Sequence, residues 1–239
     1  MIRKASKFVP RILTADQKET RLHICQNMLT MAENDRNWQD KVITGDETWV
    51  YGYDPETKRQ SSQWMYPNEP KPKKARMSKS KLKVLLVTFF DNRGLVHHEF
   101  MQDSVTINQK TYLSILKNLR ESIRKKRPDK WQRKDWFLHH DNARPHTAHS
   151  VLAFLAKNNT PILPQPPYSP DLAPNDFFLY PKFKMIMKGK RFDTKEEIKR
   201  KSLAVLRSIE QNEFSGCFAS WEKRWRRCIS ENGSYFESY

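Results

Sequence analysis

Apolar residues recur along the chain in two rhythms, one helical and one alternating or continuous, and the switches between them outline the elements. Leu22, Cys25, Met28, Leu29 and Ala32 keep helical spacing behind candidate caps at Thr14 and Asp16, which predicts one amphipathic helix over 15–34. Residues 1–13, with Phe8-Val9-Pro10, read as an extended arm. Lys41 to Tyr53 is rich in β-branched and aromatic residues and reads as a strand, with Gln60 to Met65 as a segment that extends it or pairs with it. Leu82 to Phe90 is a strong strand, 91–94 a turn, and Leu95 to Met101 the returning strand. Tyr112, Leu113, Leu116, Leu119 and Ile123 predict a helix over 108–127 that Pro128 ends. Beyond it come a short strand at 136–140, a helix over 146–157 and a short strand at 160–163. A proline-rich turn region covers 164–174, and helices follow over 175–188, 194–208 and 214–229.

The order is β-β-β-α-β-α-β-α followed by more helix. Three antiparallel strands and then αβ units suit an α/β mixed sheet with helices on its faces and additional helices at the C-terminal end. Between the first two strands, Pro67 to Lys81 holds three prolines, no apolar periodicity and a basic run, the mark of a long exposed loop. No internal repeat is visible.

Charge changes the picture more than any other bulk property. The formal net charge is +17 and the mean hydropathy is −0.85. A polyanionic partner is expected, nucleic acid first and an acidic membrane surface second. The longest apolar stretch, Val84 to Phe90, is far shorter than the ~20 residues a membrane span needs, and no apolar region follows Met1-Ile2-Arg3-Lys4 as in a signal peptide. The three cysteines, Cys25, Cys217 and Cys228, lack the spacing of a disulfide framework or zinc module and fit a reducing compartment. Six glycines yield no phosphate-binding loop, no dinucleotide fingerprint and no serine-nucleophile elbow. His98-Glu99 lacks the second histidine of a zinc protease, and the histidines around Asp141 lack a completing cysteine or carboxylate.

Acids at element ends in so basic a chain are the candidate chemistry. Asp46 lies inside the first strand, Asp141 closes the fourth, and Asp176 opens a helix. Taken singly they are a turn acid, a strand-end acid and a first-turn helix acid. Taken together, with the first and fourth strands as neighbours, they converge, and a hard cation such as Mg²⁺ is what makes converging carboxylates stable. Two such ions ~3.5–4 Å apart serve phosphodiester cleavage.

Three blocks then carry a specific resemblance. ITGDETWVYGYDPETKRQSSQW, HHDNARPHTA and PPYSPDLAPNDFFLYPKFK resemble, in order, the catalytic domain of mariner-family DNA transposases, and thirty-four residues separate Asp141 from Asp176, the mariner spacing. The resemblance runs from about Lys7 to the C-terminus. It implies an RNase H-like catalytic domain over 41–239, preceded by a linker arm and helix over 1–40. It also implies catalytic and metal-binding aspartates at Asp46, Asp141 and Asp176, with two Mg²⁺ that Mn²⁺ replaces. Asp171, before the LAP triplet, is a decoy.

The implied activity is cut-and-paste transposition: hydrolysis at terminal inverted repeats, then strand transfer into TA target DNA, by a nuclear homodimer with no membrane attachment. The basic loop 67–81 matches the family's clamp loop, so Lys71, Lys73, Lys74, Arg76 and Lys79 are candidate DNA contacts. Arg124, Lys125 and Lys126, in the nine-cation stretch 117–134, and Arg144 beside Asp141 are further ones, with a solvated helix face as the plain alternative for the stretch. Phe8-Val9-Pro10 stands where the family has Trp-Val-Pro. The family's paired helix-turn-helix reader has no counterpart in these residues, so a truncated or domesticated, non-catalytic DNA-binding remnant is the alternative function.

Overall fold

The computed structural model describes residues 8–102 and 105–236. Helix α1 (Ala15–Asn34) opens on a reciprocal capping box between Thr14 and Gln17. A short α2 (Trp38–Lys41) leads into β1 (Val42–Tyr51). The hairpin strands β2 (Lys83–Asp91) and β3 (Gly94–Phe100) follow the long loop, then α3 (Gln109–Lys126), capped by Asn108, and α4 (Pro128–Arg133). The second half holds β4 (Phe137–His139), α5 (His149–Lys157), β5 (Ile162–Leu163), a 3-10 turn (Pro170–Leu172) and a π-type turn (Asn175–Leu179). It closes with α6 (Tyr180–Met187), α7 (Lys195–Arg207) and α8 (Gln211–Ser230).

The sheet order is β3-β2-β1-β4-β5, antiparallel from β3 to β1 and parallel from β1 to β5. Helices cover both faces. Val42, Val50, Val84, Leu86 and Phe90 pack with α1, α6, α7 and α8. Ile43, Val87, Phe89, Val96 and Leu138 pack with α3 and α5. Two covered faces explain why β2 reads as a continuous apolar run rather than an alternation. The amphipathic α1 docks on α8, so the N-terminal helix shares the core of the C-terminal one. No helix among the described residues is long and apolar enough to cross a membrane, and all three cysteines are buried and free.

The structure corrects several expectations. Gln60 to Met65 is not a strand; turns at 58–61 give way to exposed coil, and Trp64 lies fully in solvent. Pro128 ends α3 but also starts α4, where its missing N–H costs nothing. The short α2 fell outside the sequence pattern. The helix expected from 146 begins at His149, and the one over 175–188 starts with a π-type turn. Residues 8–13 are irregular, with a bend at Pro10 and Arg11 in place of the extended arm, and Phe8 and Ile12 are almost fully exposed; Lys7 and the rest of the arm lie outside the described residues.

Candidate functional site

The parallel register pairs Thr44 with His139. Asp46 stands two residues further along β1, and Asp141 lies two residues past His139, just beyond the end of β4, so both acids follow directly on the paired segment. Asp176 enters from the π-type turn before α6. Tyr180 fastens that turn to β1: its hydroxyl donates to the Asp46 carbonyl and accepts from Thr88 Oγ1 at 3.0 Å. Gly45 is required beside Asp46, because a Cβ there would run into the Phe89 ring from β2. Asp46, Asp141 and Asp176 line one open cleft of about 400 Å³, shared with Asn142, Gln165 and the 166–170 loop.

The three carboxyls differ in their electrostatics. Burial, with Asp176 and Glu47 close by, pushes the Asp46 carboxyl well above its usual range. Asp176, at the cleft mouth, is pushed up to about 6 by partial burial; Lys184 opposes the shift and Asp141 adds to it. Asp141 behaves oppositely. Burial pulls it upward, but a 2.6 Å hydrogen bond from His146 Nδ1 and a 3.0 Å one from the Ala143 amide to Oδ1 outweigh this, and it titrates below the usual range. His146 is lowered by burial and raised more by Asp141 and Glu47, to about 9, so it is an imidazolium at neutral pH.

Among the described residues, neither Asp46 nor Asp176 has a Lys or Arg within ion-pair distance, although the chain carries +17. Among the same residues no three acid, histidine or cysteine side chains close into a ready ligand set: the carboxylates face one cleft without meeting at a point. An all-oxygen, multiply anionic donor set of this kind fits a hard divalent cation.

This predicts a pH-dependent response to metal. The raised carboxyls of Asp46 and Asp176 favour the metal-free protein below the ordinary carboxylate range, and that contribution is lost as pH rises through each raised value, about 6 for Asp176. Bound cation reverses the trend by displacing the protons. Mn²⁺ at about 100 times its Kd is expected to raise Tm by roughly 5–10 °C at pH 7.5. The gain should shrink toward pH 5 in a calorimetric or dye-based melt.

Comparison with known proteins decides the family. A family model described as "Transposase (partial DDE domain)" matches residues 54–133, the stretch between the first two acids. The Mos1 mariner transposase of Drosophila mauritiana is 30% identical over 238 residues, covering 99% of this chain and 68% of the relative. The chain belongs to the mariner transposase family. Human histone-lysine N-methyltransferase SETMAR is also 30% identical, over 239 residues, and is covered to 34%. A pre-cleavage Mos1 transpososome superposes with a TM-score of 0.89 at 28% identity, over 99% of this chain and 68% of that one. The isolated Mos1 catalytic domain gives 0.80 at 27% identity, over 96% and 100%. The fold is the RNase H-like fold of mariner catalytic domains.

Within this mariner chain the candidate DNA contacts divide. Lys71, Lys73 and Arg76 are exposed on the loop, whereas Lys74 pairs with Glu56, and Lys79 lies 3.5 Å from Asp54 and over the Tyr51 ring. Arg144 is exposed on the turn after Asp141. On α3 the stretch is partly structural: Arg124 pairs with Glu121, Lys126 donates to the Val96 carbonyl at 2.8 Å, and of the three only Lys125 stands clear. Arg127 and Lys130 turn inward onto buried Asp91.

Sequence reasoning passed over Glu47, Gln165 and Tyr180. The tyrosine's only signal was its place four residues after Asp176; its bond to β1 spans 134 positions and has no local trace. Asp171, the decoy, proves to be a buried structural acid bound by Arg21.

Proposed function

We propose that Asp46, Asp141 and Asp176 are the catalytic, metal-holding aspartates of this mariner transposase domain, acting in phosphodiester hydrolysis at transposon ends and strand transfer into TA target DNA. The observation that carries the reading is a cleft with three acids, one on β1, one just past the end of the parallel β4 and one at a helix entry. Among the described residues Asp46 and Asp176 lack a Lys or Arg partner, in a strongly basic protein. Mos1 has been crystallised as a paired-end complex with Mn and as a catalytic domain with Mg, which supports Mg²⁺ as the cation here and Mn²⁺ as its substitute.

Bound divalent cations supply an activated attacking oxygen and charge for the leaving oxygen. The residues of this chain do the rest. Asp46 is held on the rigid strand by the Tyr180 bond to its carbonyl. His146 and the Ala143 amide both bond Asp141 Oδ1, which leaves Oδ2 as the oxygen for a cation. Arg144 and the loop cations Lys71, Lys73 and Arg76 hold phosphates without reading bases. Lys74, Lys79, Arg124, Lys125 and Lys126 are secondary contacts, four of them after releasing present partners.

The Mos1 complexes named as paired-end support a homodimer that holds two DNA ends, and the relatives' eukaryotic hosts support action in the nucleus. Residues 1–40 serve as the arm and helix leading into the catalytic body at 41–239.

Two results are expected from the loop. Changing Lys71, Lys73 and Arg76 to glutamine should make log K less steep against log salt by about 0.9 for each phosphate no longer neutralised. Replacing 68–77 by a short Gly-Ser linker should leave Tm nearly unchanged, since these residues are exposed coil, but abolish two-ended complexes on a native gel. Normal paired complexes would remove the clamp role. The activity itself is tested by incubating supercoiled plasmid with the protein, with and without Mn²⁺. Nicking is expected only with the ion, and absence of nicking with DNA binding intact would favour the remnant.

A further inference from the structure

A chain of buried hydrogen bonds runs behind the cleft and touches all three elements that carry the acids. Thr44, two residues before Asp46 on β1, lies 2.8 Å from His139 Nδ1. His139, two residues before Asp141 on β4, lies 2.8 Å through Nε2 from Gln165 Oε1. Gln165 Nε2 donates to the Ser169 carbonyl at 2.7 Å, and the Gln165 carbonyl accepts from Asn142 Nδ2 at 2.5 Å. Arg21 of α1 donates through Nη1 to Ser169 Oγ at 2.6 Å and grips Asp171, five residues before Asp176, with bonds of 2.8 and 2.7 Å. Thr44, His139, Gln165, Ser169, Arg21 and Asp171 are all buried.

The direction of the bonds from Gln165 to Thr44 follows from one fact. The Gln165 amide nitrogen faces a carbonyl, which only accepts, so its oxygen must face His139. His139 therefore carries its proton on Nε2 and accepts at Nδ1, and Thr44 donates to it. Ser169 spends its own proton on the Pro167 carbonyl and is left to accept from Arg21. Two further bonds clamp the same loop from α8: Trp221 Nε1 to the Leu172 carbonyl at 2.7 Å and Arg224 to the Asp171 carbonyl at 2.9 Å.

We propose that Gln165 is a positioning residue of the catalytic site: it joins the β1–β4 pair that bears Asp46 and Asp141 to the Arg21-anchored loop that bears Asp176, and so sets the spacing of the three carboxylates for cation binding. This rests on the reading of those acids as the metal site. Gln165 is the one member of the chain that bonds at once to the sheet, through His139, and to the loop, through Ser169. The loop between β5 and α6 is otherwise proline-rich and irregular, so its hold on the sheet has to come from side chains. Partners bonded directly to metal ligands typically change metal affinity by 10–100-fold, and Gln165, acting one bond further out through His139 and Ser169, is expected at the low end of that range.

The test is Mn²⁺ binding to the whole chain without DNA, followed by electron paramagnetic resonance, together with kcat and KM on a DNA substrate. Gln165→Leu is expected to weaken Mn²⁺ binding at least about tenfold and lower kcat, with KM for DNA unchanged. Thr44→Val, which removes one bond and keeps the side-chain shape, is expected to shift Mn²⁺ binding in the same direction and covers the case in which Gln165→Leu fails to fold. Leu119→Ala, in the core on the opposite face of the sheet, should lose as much Tm or more and bind Mn²⁺ as the wild type does. Asp46→Asn separates a failure of the metal site from a failure of the positioning role. If it binds Mn²⁺ normally, the metal-site reading falls and the proposal with it. If it loses binding while Gln165→Leu and Thr44→Val bind as the wild type, or if Leu119→Ala weakens binding equally, the positioning role alone is overturned.

Discussion

Replacing Asp46 by asparagine is expected to lower metal-dependent DNA cleavage by at least about 10³-fold, equivalent to several kcal/mol of lost transition-state charge stabilisation. The same change is expected to raise the Tm of the metal-free protein. Both effects have one cause. Asp46 is a carboxylate on a central strand, with Asp176 and Glu47 beside it and no Lys or Arg among the described residues to pair with, and its carboxyl is pushed well above the usual range. Asparagine fills the same space without charge, so the cation-free fold no longer carries the repulsion. The cost falls on function, as it does where a site keeps destabilising groups for its chemistry. Plasmid nicking and a thermal melt in chelator check the two halves. A variant that cleaves normally, or melts lower in chelator, would contradict the assignment.

The second large effect concerns stability and lies away from the cleft. Asp91, at the β2–β3 turn, is fully buried, accepts from Arg127 at 2.8 and 2.9 Å and from the Arg93 amide at 3.0 Å, and lies 3.3 Å from Lys130 Nζ. Lys130 is itself fully buried, and burial lowers its pKa while Asp91 raises it. Asp91→Ala removes the only carboxylate among the described residues within ion-pair distance of that ammonium and should cost about 3–5 kcal/mol. At about 2–4 °C per kcal/mol for a domain of this size, Tm should fall by roughly 6–20 °C. Adding Lys130→Met to Asp91→Ala should recover part of the loss, since no unpaired charge then stays buried. Equal melts for the single and double variants would show that Arg127, not Lys130, dominates.

The fold was legible wherever local signals and tertiary demands agree. The α1 boundaries follow from the Thr14–Gln17 box and the Leu22 to Ala32 spacing, and β1 to β3 follow from runs that suit a sheet covered on both faces. That three acids share one cleft was legible because Asp46 on β1 and Asp141 just past β4 follow the paired segment of strands that this topology makes neighbours. What escaped was decided at long range or in too few residues. Short α2 and α4 hold four and six residues, too few for a periodic pattern. Gln60 to Met65 has Trp64 as its one strand-favouring residue, and β1 is already paired by β2 and β4 and offers no free edge. The +17 charge looks like one binding surface, but Arg21, Arg127 and Lys130 are consumed by buried acids. Arg21 and Asp171 stand 150 positions apart, and no local pattern links them.

Diffraction from crystals of the protein grown with Mn²⁺, recorded where manganese scatters anomalously, tests the central claim most directly. The expected map has an anomalous peak in the cleft within about 2.0–2.6 Å of carboxylate oxygens from Asp46, Asp141 and Asp176. Manganese bound elsewhere, or bound in the cleft without one of these three side chains as a ligand, would contradict the account.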